Sequence, residues 1–200
     1  MALTIHGIPT SRALRILWLA NELGLDFNYV PVDFSGGSRQ PEFMKLNPNG
    51  HVPVIDDDGL ILWESLACNL YLIKKHGGPL MPKNLADEGR ALQWSFWVMT
   101  EVEKAALSLL MKLVYPADIP DAEAAAAREK LAPALGVLNV ALAGKDYLLG
   151  TDFTIADLNV AAVLAWLKIV KYDFAAVPNV EAWLTRCLAR PAYLAAKATK

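Results

Sequence analysis

Asn47-Pro48-Asn49-Gly50-His51-Val52-Pro53-Val54-Ile55, a turn at Asp56-Asp57-Asp58-Gly59, and then Leu60-Ile61-Leu62-Trp63-Glu64-Ser65 make up the stretch that decides how the chain reads. Two apolar runs around an Asp/Gly turn predict a β-hairpin, and Glu64-Ser65 then opens a helical pattern through Leu66, Leu70 and Ile73. Pro53 stands at the start of the first strand, where a missing N–H is tolerated only at an edge or a bend. A cis Val52-Pro53 bond would bend the chain there and leave the N–H and C=O of Val52 open to an extended peptide laid beside them. The first N–H groups of the Ser65 helix, with the Ser65 hydroxyl, would seat a carboxylate. Together these features describe a pocket for a small anionic peptide. An ordinary tight turn followed by a Ser cap satisfies the same spacing.

Working outward, Leu3 to His6 is a strand candidate, and Ile8-Pro9-Thr10-Ser11 leads into a helix from about Ser11 to Leu23 that is apolar over most of its circumference and stops at Gly24. Phe27 to Phe34 alternates as a second strand, Gly36-Gly37-Ser38 is a loop, and Pro41 to Leu46 makes a short helix. The order β-α-β, α, β-β, α, closing near His76, is that of a thioredoxin-like α/β domain with a mixed four-stranded sheet. Gly77-Gly78-Pro79 and Met81-Pro82 interrupt both periodicities and mark a linker. The expected division is therefore 1–76 as the α/β domain, 77–86 as linker and 87–200 as an all-α domain.

In the second half Asp87 to about Tyr115 is one long amphipathic run ended by Pro116 and Pro120. Asp121 to Leu142 is an Ala-rich helix in which Pro133 predicts a kink or break near Leu131. Thr154-x-x-Asp157 before an apolar run to about Val170 is a capping box, so Asp157 reads as a folding element. Pro178 opens a further helix through Leu188, which Arg190-Pro191 ends. Trp94, Trp97, Val98, Met99, Thr100, Met111 and Tyr115 read as core or interface, and none is assigned to a substrate.

Composition limits the function classes. The 200 residues are 54% hydrophobic and 20% charged, with a net charge of −2. No basic run exceeds Lys74-Lys75, so there is no footprint for nucleic acid. No uninterrupted apolar segment reaches about 18 residues and no signal-like core follows a basic start, so the chain reads as soluble and cytoplasmic, without a membrane partner. Cys68 and Cys187 are far apart and outside any metal-ligand or dithiol spacing, so no metal is expected and both read as core residues.

Asn47-Pro48-Asn49-Gly50-His51-Val52-Pro53 followed by Leu62-Trp63-Glu64-Ser65 resembles the glutathione-binding core of the cytosolic glutathione S-transferase family. The resemblance implies a cis Val52-Pro53 bond, a Val52 backbone that pairs with the cysteinyl unit of glutathione, and a Glu64-Ser65 pair that holds the γ-glutamyl end. Arg39 and Gln40, and His51, lie where members often place a contact to the glycine carboxylate. The resemblance further implies a homodimer that takes glutathione as co-substrate and attacks a hydrophobic electrophile.

The reactive group of a thioredoxin-like fold lies after the first strand, at the N-terminus of the first helix, where an anion is favoured. This chain has Ile8-Pro9-Thr10-Ser11-Arg12 there and no Cys, so its thiol must come from glutathione. A hydroxyl is useful as a hydrogen-bond donor to sulfur, since it cannot act as a base near neutral pH. The resemblance implies a Ser/Thr-type member: counted back from Arg15-Ile16-Leu17, Thr10 falls where such members carry their catalytic Ser or Thr, with Ser11 second and Arg12 as a cationic aid. The alternatives are a glutathione-dependent peroxidase or disulfide reductase on the same fold, and a non-catalytic glutathione-binding or assembly module.

Overall fold

The computed structural model describes residues 3–114 and 119–200. The chain divides into two compact units, one of residues 1–81 with 189–200 and one of residues 82–188.

The first unit is built on a four-stranded sheet of β1 (Leu3–His6), β2 (Phe27–Val30), β3 (Val54–Asp57) and β4 (Leu60–Trp63), in the order β2-β1-β3-β4. β1 and β2 run parallel, joined through α1 (Ala13–Glu22), while β3 is antiparallel to both β1 and β4. The hairpin closes on Asp58 and Gly59, both at positive φ, as a two-residue turn matched to the strand twist requires. β2 ends at Val30, short of the expected Phe34, because Pro31 follows and brings no N–H for the ladder.

Alternation along β3 assigns the two faces of the sheet. Ile55 and Asp57 face α3 (Ser65–His76), where the buried Asp57 carboxylate accepts from Tyr71 Oη at 2.7 Å and Lys75 Nζ at 2.6 Å. Val54 faces the other way, into a cluster with Phe43 of α2 (Pro41–Met44) and Val52. α1 is nearly encircled: Ile16, Leu17, Trp18 and Leu19 are fully buried, and the helix packs on β1, α3 and α9 (Pro191–Lys197). Both cysteines are buried, and neither is in a disulfide.

The expected helical half reached residue 200, but the last helix belongs to the first unit. Tyr193 stacks edge-on against Trp18 at 4.8 Å, and Arg190 Nη2 donates to Glu22 Oε2 at 2.7 Å. Read as the end of the preceding helix, Pro191 gives no expectation of a helix there. A proline in the first turn also opens a helix, since its missing N–H would have no intrahelical partner.

The second unit is organised round α7 (Ile155–Ile169), every residue of which from Ile155 to Leu167 is buried. Such a helix must be covered on all sides, and α4 (Leu85–Trp97), α5 (Lys104–Val114) and α8 (Pro178–Leu188) cover it. The capping box is present: Thr154 N donates to Asp157 Oδ2 at 3.0 Å, and the buried carboxylate also accepts from Leu148 N and Trp183 Nε1 at 2.8 and 2.9 Å. Burial pushes the Asp157 carboxyl pKa up, and these donors oppose that rise.

A π-helical segment, Val98–Glu103, joins α4 to α5 within the expected long run; the expected end at Tyr115 and Pro116 lies outside the described residues. α6 (Asp121–Ala141) passes through Pro133 unbroken. Pro133 lies on the exposed side, where water can serve the carbonyl that loses its partner. No described helix is long and apolar enough to cross a membrane.

Candidate active site

The strand register brings four connections to one end of the sheet. His6 at the end of β1 pairs with Val30 at the end of β2 and with Val54 at the start of β3, and Val54 pairs with Trp63 at the end of β4. The turn into α1, the loop after β2, the Val52-Pro53 turn and the Glu64-Ser65 entry to α3 therefore all leave the sheet on the same side. These segments carry the residues that the resemblance assigns to the glutathione site.

Gly7 lets two of these turns touch. It sits at φ +135°, and a Cβ there would lie 2.6 Å from Cβ of Ala13 and 3.3 Å from Cβ of Val52. The first turn of α1 thus lies directly against the Val52-Pro53 segment. Ser11, half-buried, donates its hydroxyl proton to the Ile8 carbonyl at 2.7 Å and accepts the Ala13 N–H, the first of α1, at 3.1 Å. Thr10 is exposed in the same turn, and its hydroxyl has no partner among the described residues. Arg12, half-buried, follows as the first flanking residue of the helix.

The Val52-Pro53 bond is cis. Neither the N–H nor the C=O of Val52 bonds to another backbone group among the described residues. Asn47 holds the approach to this turn: its Nδ2 donates to the His51 carbonyl at 2.7 Å, and its Oδ1 accepts the Asn49 N–H at 3.1 Å. His51 is exposed at the mouth of the turn, and Arg39 and Gln40 are exposed on the neighbouring loop. Arg39 Nη1 donates to the Asn49 carbonyl at 3.2 Å and leaves its other donors for further contacts.

Glu64 adopts φ 69°, ψ 103°, a conformation costly for a non-glycine residue and concentrated at ligand sites. Ser65, nearly fully buried, then starts α3 with no side-chain cap on the helix, so the first N–H groups face outward as an anion seat. Arg15, 1% exposed, donates from Nη1 to Ser65 Oγ at 3.1 Å. A guanidinium only donates, so Ser65 is the acceptor in that bond and its own proton is directed elsewhere. Placed beside the free N–H groups of α3, that proton and the cation behind it both favour a carboxylate.

Residues 1–74 match the family profile for the N-terminal domain of glutathione S-transferase, and residues 100–191 match that for its C-terminal domain. The chain belongs to the glutathione S-transferase family. Glutathione S-transferase 3 of Zea mays is 35% identical to it over 207 positions, covering 96% of this chain and 91% of the relative. Glutathione S-transferase D7 of Drosophila melanogaster is 31% identical over 180 positions, covering 88% and 78%. Among solved structures, the theta class glutathione S-transferase of Xanthomonas axonopodis pv. citri, with glutathione bound, superimposes with a TM-score of 0.90 at 30% identity, covering all of this chain and 98% of that one.

The fold of this glutathione S-transferase is thus the thioredoxin-like sheet followed by a helical unit. Two residues that the sequence reading did not single out, Arg15 and Asp33, contact the segments that carry the candidate site. Arg15 has no role in the sequence reading; its signal is a cation on a helix otherwise committed to the core. Asp33 falls within the second strand expected over Phe27 to Phe34, but that strand ends at Val30 and the structure places Asp33 in the loop after it. Among the described residues no group of three or more His, Cys, Asp or Glu side chains is placed to hold a metal ion.

Proposed function

We propose that this glutathione S-transferase binds glutathione along the common end of the sheet and activates its thiol with the Thr10 hydroxyl. The Val52 backbone pairs with the cysteinyl unit, Glu64 and Ser65 hold the γ-glutamyl end over Arg15, and Arg39, Gln40 and His51 meet the glycine carboxylate. The carrying observation is the contrast at the mouth of α1: Ser11 spends its proton on the Ile8 carbonyl, while Thr10 has its proton to give.

Donation from Thr10 and the N-terminus of α1 favour the sulfur anion, lowering a thiol pKa from about 8.5 toward about 7. The proton leaves to solvent; the thiolate then forms a C–S bond with an electrophilic carbon, by addition or with expulsion of a halide. Ser11 keeps the helix end in place, and Arg12 adds positive charge. No cysteine lies between β1 and α1, and Cys68, fully buried with its pKa pushed up to about 12 by burial, supplies no reactive thiol. These facts favour transfer over disulfide exchange through a protein thiol.

The enzyme acts as a cytoplasmic homodimer. Leu85, Leu92 and Phe96, exposed along one face of α4, support the need for a cover; sedimentation at micromolar concentration tests it. For the catalytic reading, turnover of an aryl halide is compared in wild type, Thr10→Ala and Ser11→Ala. Loss of one donor to a developing anion lowers kcat about 100-fold, and that loss is expected for Thr10→Ala with glutathione affinity retained. An undiminished Thr10→Ala enzyme contradicts the assignment.

A further inference from the structure

One exposed carboxylate organises the loop after β2. Asp33 Oδ1 accepts from the Ser35 N–H at 2.9 Å, the Ser35 hydroxyl at 2.7 Å and the Gly36 N–H at 2.8 Å. Oδ2 accepts from the Gly37 N–H at 3.1 Å, and the Asp33 carbonyl accepts from the Ser38 N–H at 2.9 Å. These donors, the Ser35 hydroxyl foremost, hold the Asp33 carboxyl down to a pKa of about 2, so the clamp stays ionised throughout the working range. The backbone so fixed runs directly into Arg39 and Gln40.

Arg39 is then pinned at its far end. Its Nη1 bonds the Asn49 carbonyl, and it lies so close over Gly50 that a Cβ there would come within 2.9 Å of Nη1 and 3.0 Å of Cδ. The backbone of Arg39 is thus held from Asp33 and its side chain from Asn49 and Gly50. A loop left to its own entropy would spread both over many positions.

We propose that Asp33 is a positioning residue for the glycine end of glutathione: by gathering the N–H groups of Ser35, Gly36 and Gly37 it sets Arg39 and Gln40 where the glycine carboxylate arrives. The inference rests on the glutathione site proposed above. It also runs against simple electrostatics, under which removal of a negative charge beside an anionic ligand strengthens binding.

The test is calorimetric titration of the full-length protein with glutathione and with γ-glutamylcysteine, which lacks the glycine. Asp33→Ala is expected to raise the glutathione Kd about 10-fold and to leave the γ-glutamylcysteine Kd within about twofold. Asp33→Asn retains an oxygen for the three donors at Oδ1 but turns an NH2 toward Gly37, and falls between. Gly37→Ala, whose Cβ would come 2.8 Å from Asp33 Oδ2, raises the glutathione Kd without any change of charge.

An unchanged or lower glutathione Kd in Asp33→Ala overturns the role of Asp33. So does an equal loss for both ligands, which marks a merely structural residue. A wild-type protein that binds neither ligand overturns the underlying site itself, and so separates the two failures.

Discussion

Two adjacent hydroxyls stand at the mouth of α1, and the destination of a single proton separates them. Position singles out both Thr10 and Ser11, as residues between β1 and the first helix, and the family resemblance favours Thr10. What the sequence does not carry is the physical contrast between them: the Ile8 carbonyl takes the Ser11 proton, a contact set by the curl of the turn and invisible in the string of residues. Arg15 was illegible for a related reason: its meaning depends on Ser65, 50 residues away. Hydrogen bonds to a charged group contribute about 1.5–3 kcal/mol. Arg15→Met is therefore expected to raise the Kd for glutathione at least about 10-fold. If Arg15 acts by orienting Ser65, adding Ser65→Ala to Arg15→Met costs much less than Ser65→Ala does alone. A calorimetric double-mutant cycle reads this coupling, and strictly additive losses contradict it.

Elements were most legible where chemistry is local. The Asp-Gly turn predicts the hairpin, and Thr154-x-x-Asp157 predicts the start of α7, because both depend on residues within a few positions of each other. What lay beyond reach was set by the surroundings. The π-helical segment Val98–Glu103 shows no break in apolar periodicity, and Pro133 does not break α6 because the affected carbonyl lies at the wet face.

Asp157 illustrates how a local cap acquires distant partners, since Leu148 and Trp183 also donate to it. Asp157→Asn presents an NH2 where only donors converge, leaving buried N–H groups without an acceptor. A loss of about 2–4 kcal/mol is expected in denaturant unfolding monitored by circular dichroism. A loss below about 0.5 kcal/mol, the range of neutral surface changes, contradicts the central role given to this carboxylate.

At the scale of the molecule, the Gly-Pro cluster at residues 77–82 announced that the chain changes character, and the compact units meet in sequence at Met81 and Pro82. The return of residues 189–200 to the first unit was not legible. It depends on Trp18 and Glu22 being presented by α1 to a helix almost 170 residues later. Glu22 also accepts from Trp18 Nε1 at 2.9 Å, so α9 completes both the apolar and the charged surroundings of α1. Removing residues 189–200 uncovers Trp18 and leaves Glu22 without its guanidinium. This truncation is expected to cost at least about 3 kcal/mol and to expose Trp18 to a fluorescence quencher. A truncated chain with the wild-type unfolding midpoint contradicts the assignment of α9 to this unit.

α1 also carries, at its opposite N-terminal end, the turn proposed to activate the thiol. The central claim concerns that end: the Thr10 hydroxyl holds the sulfur of bound glutathione as an anion. The most direct measurement is the ultraviolet difference spectrum of the bound thiolate, titrated with pH in wild type, Thr10→Ala and Ser11→Ala. The expected result is a bound thiol that ionises about one pH unit or more below free glutathione in wild type, and as in water in Thr10→Ala. A depressed value that survives Thr10→Ala and vanishes in Ser11→Ala would contradict the account.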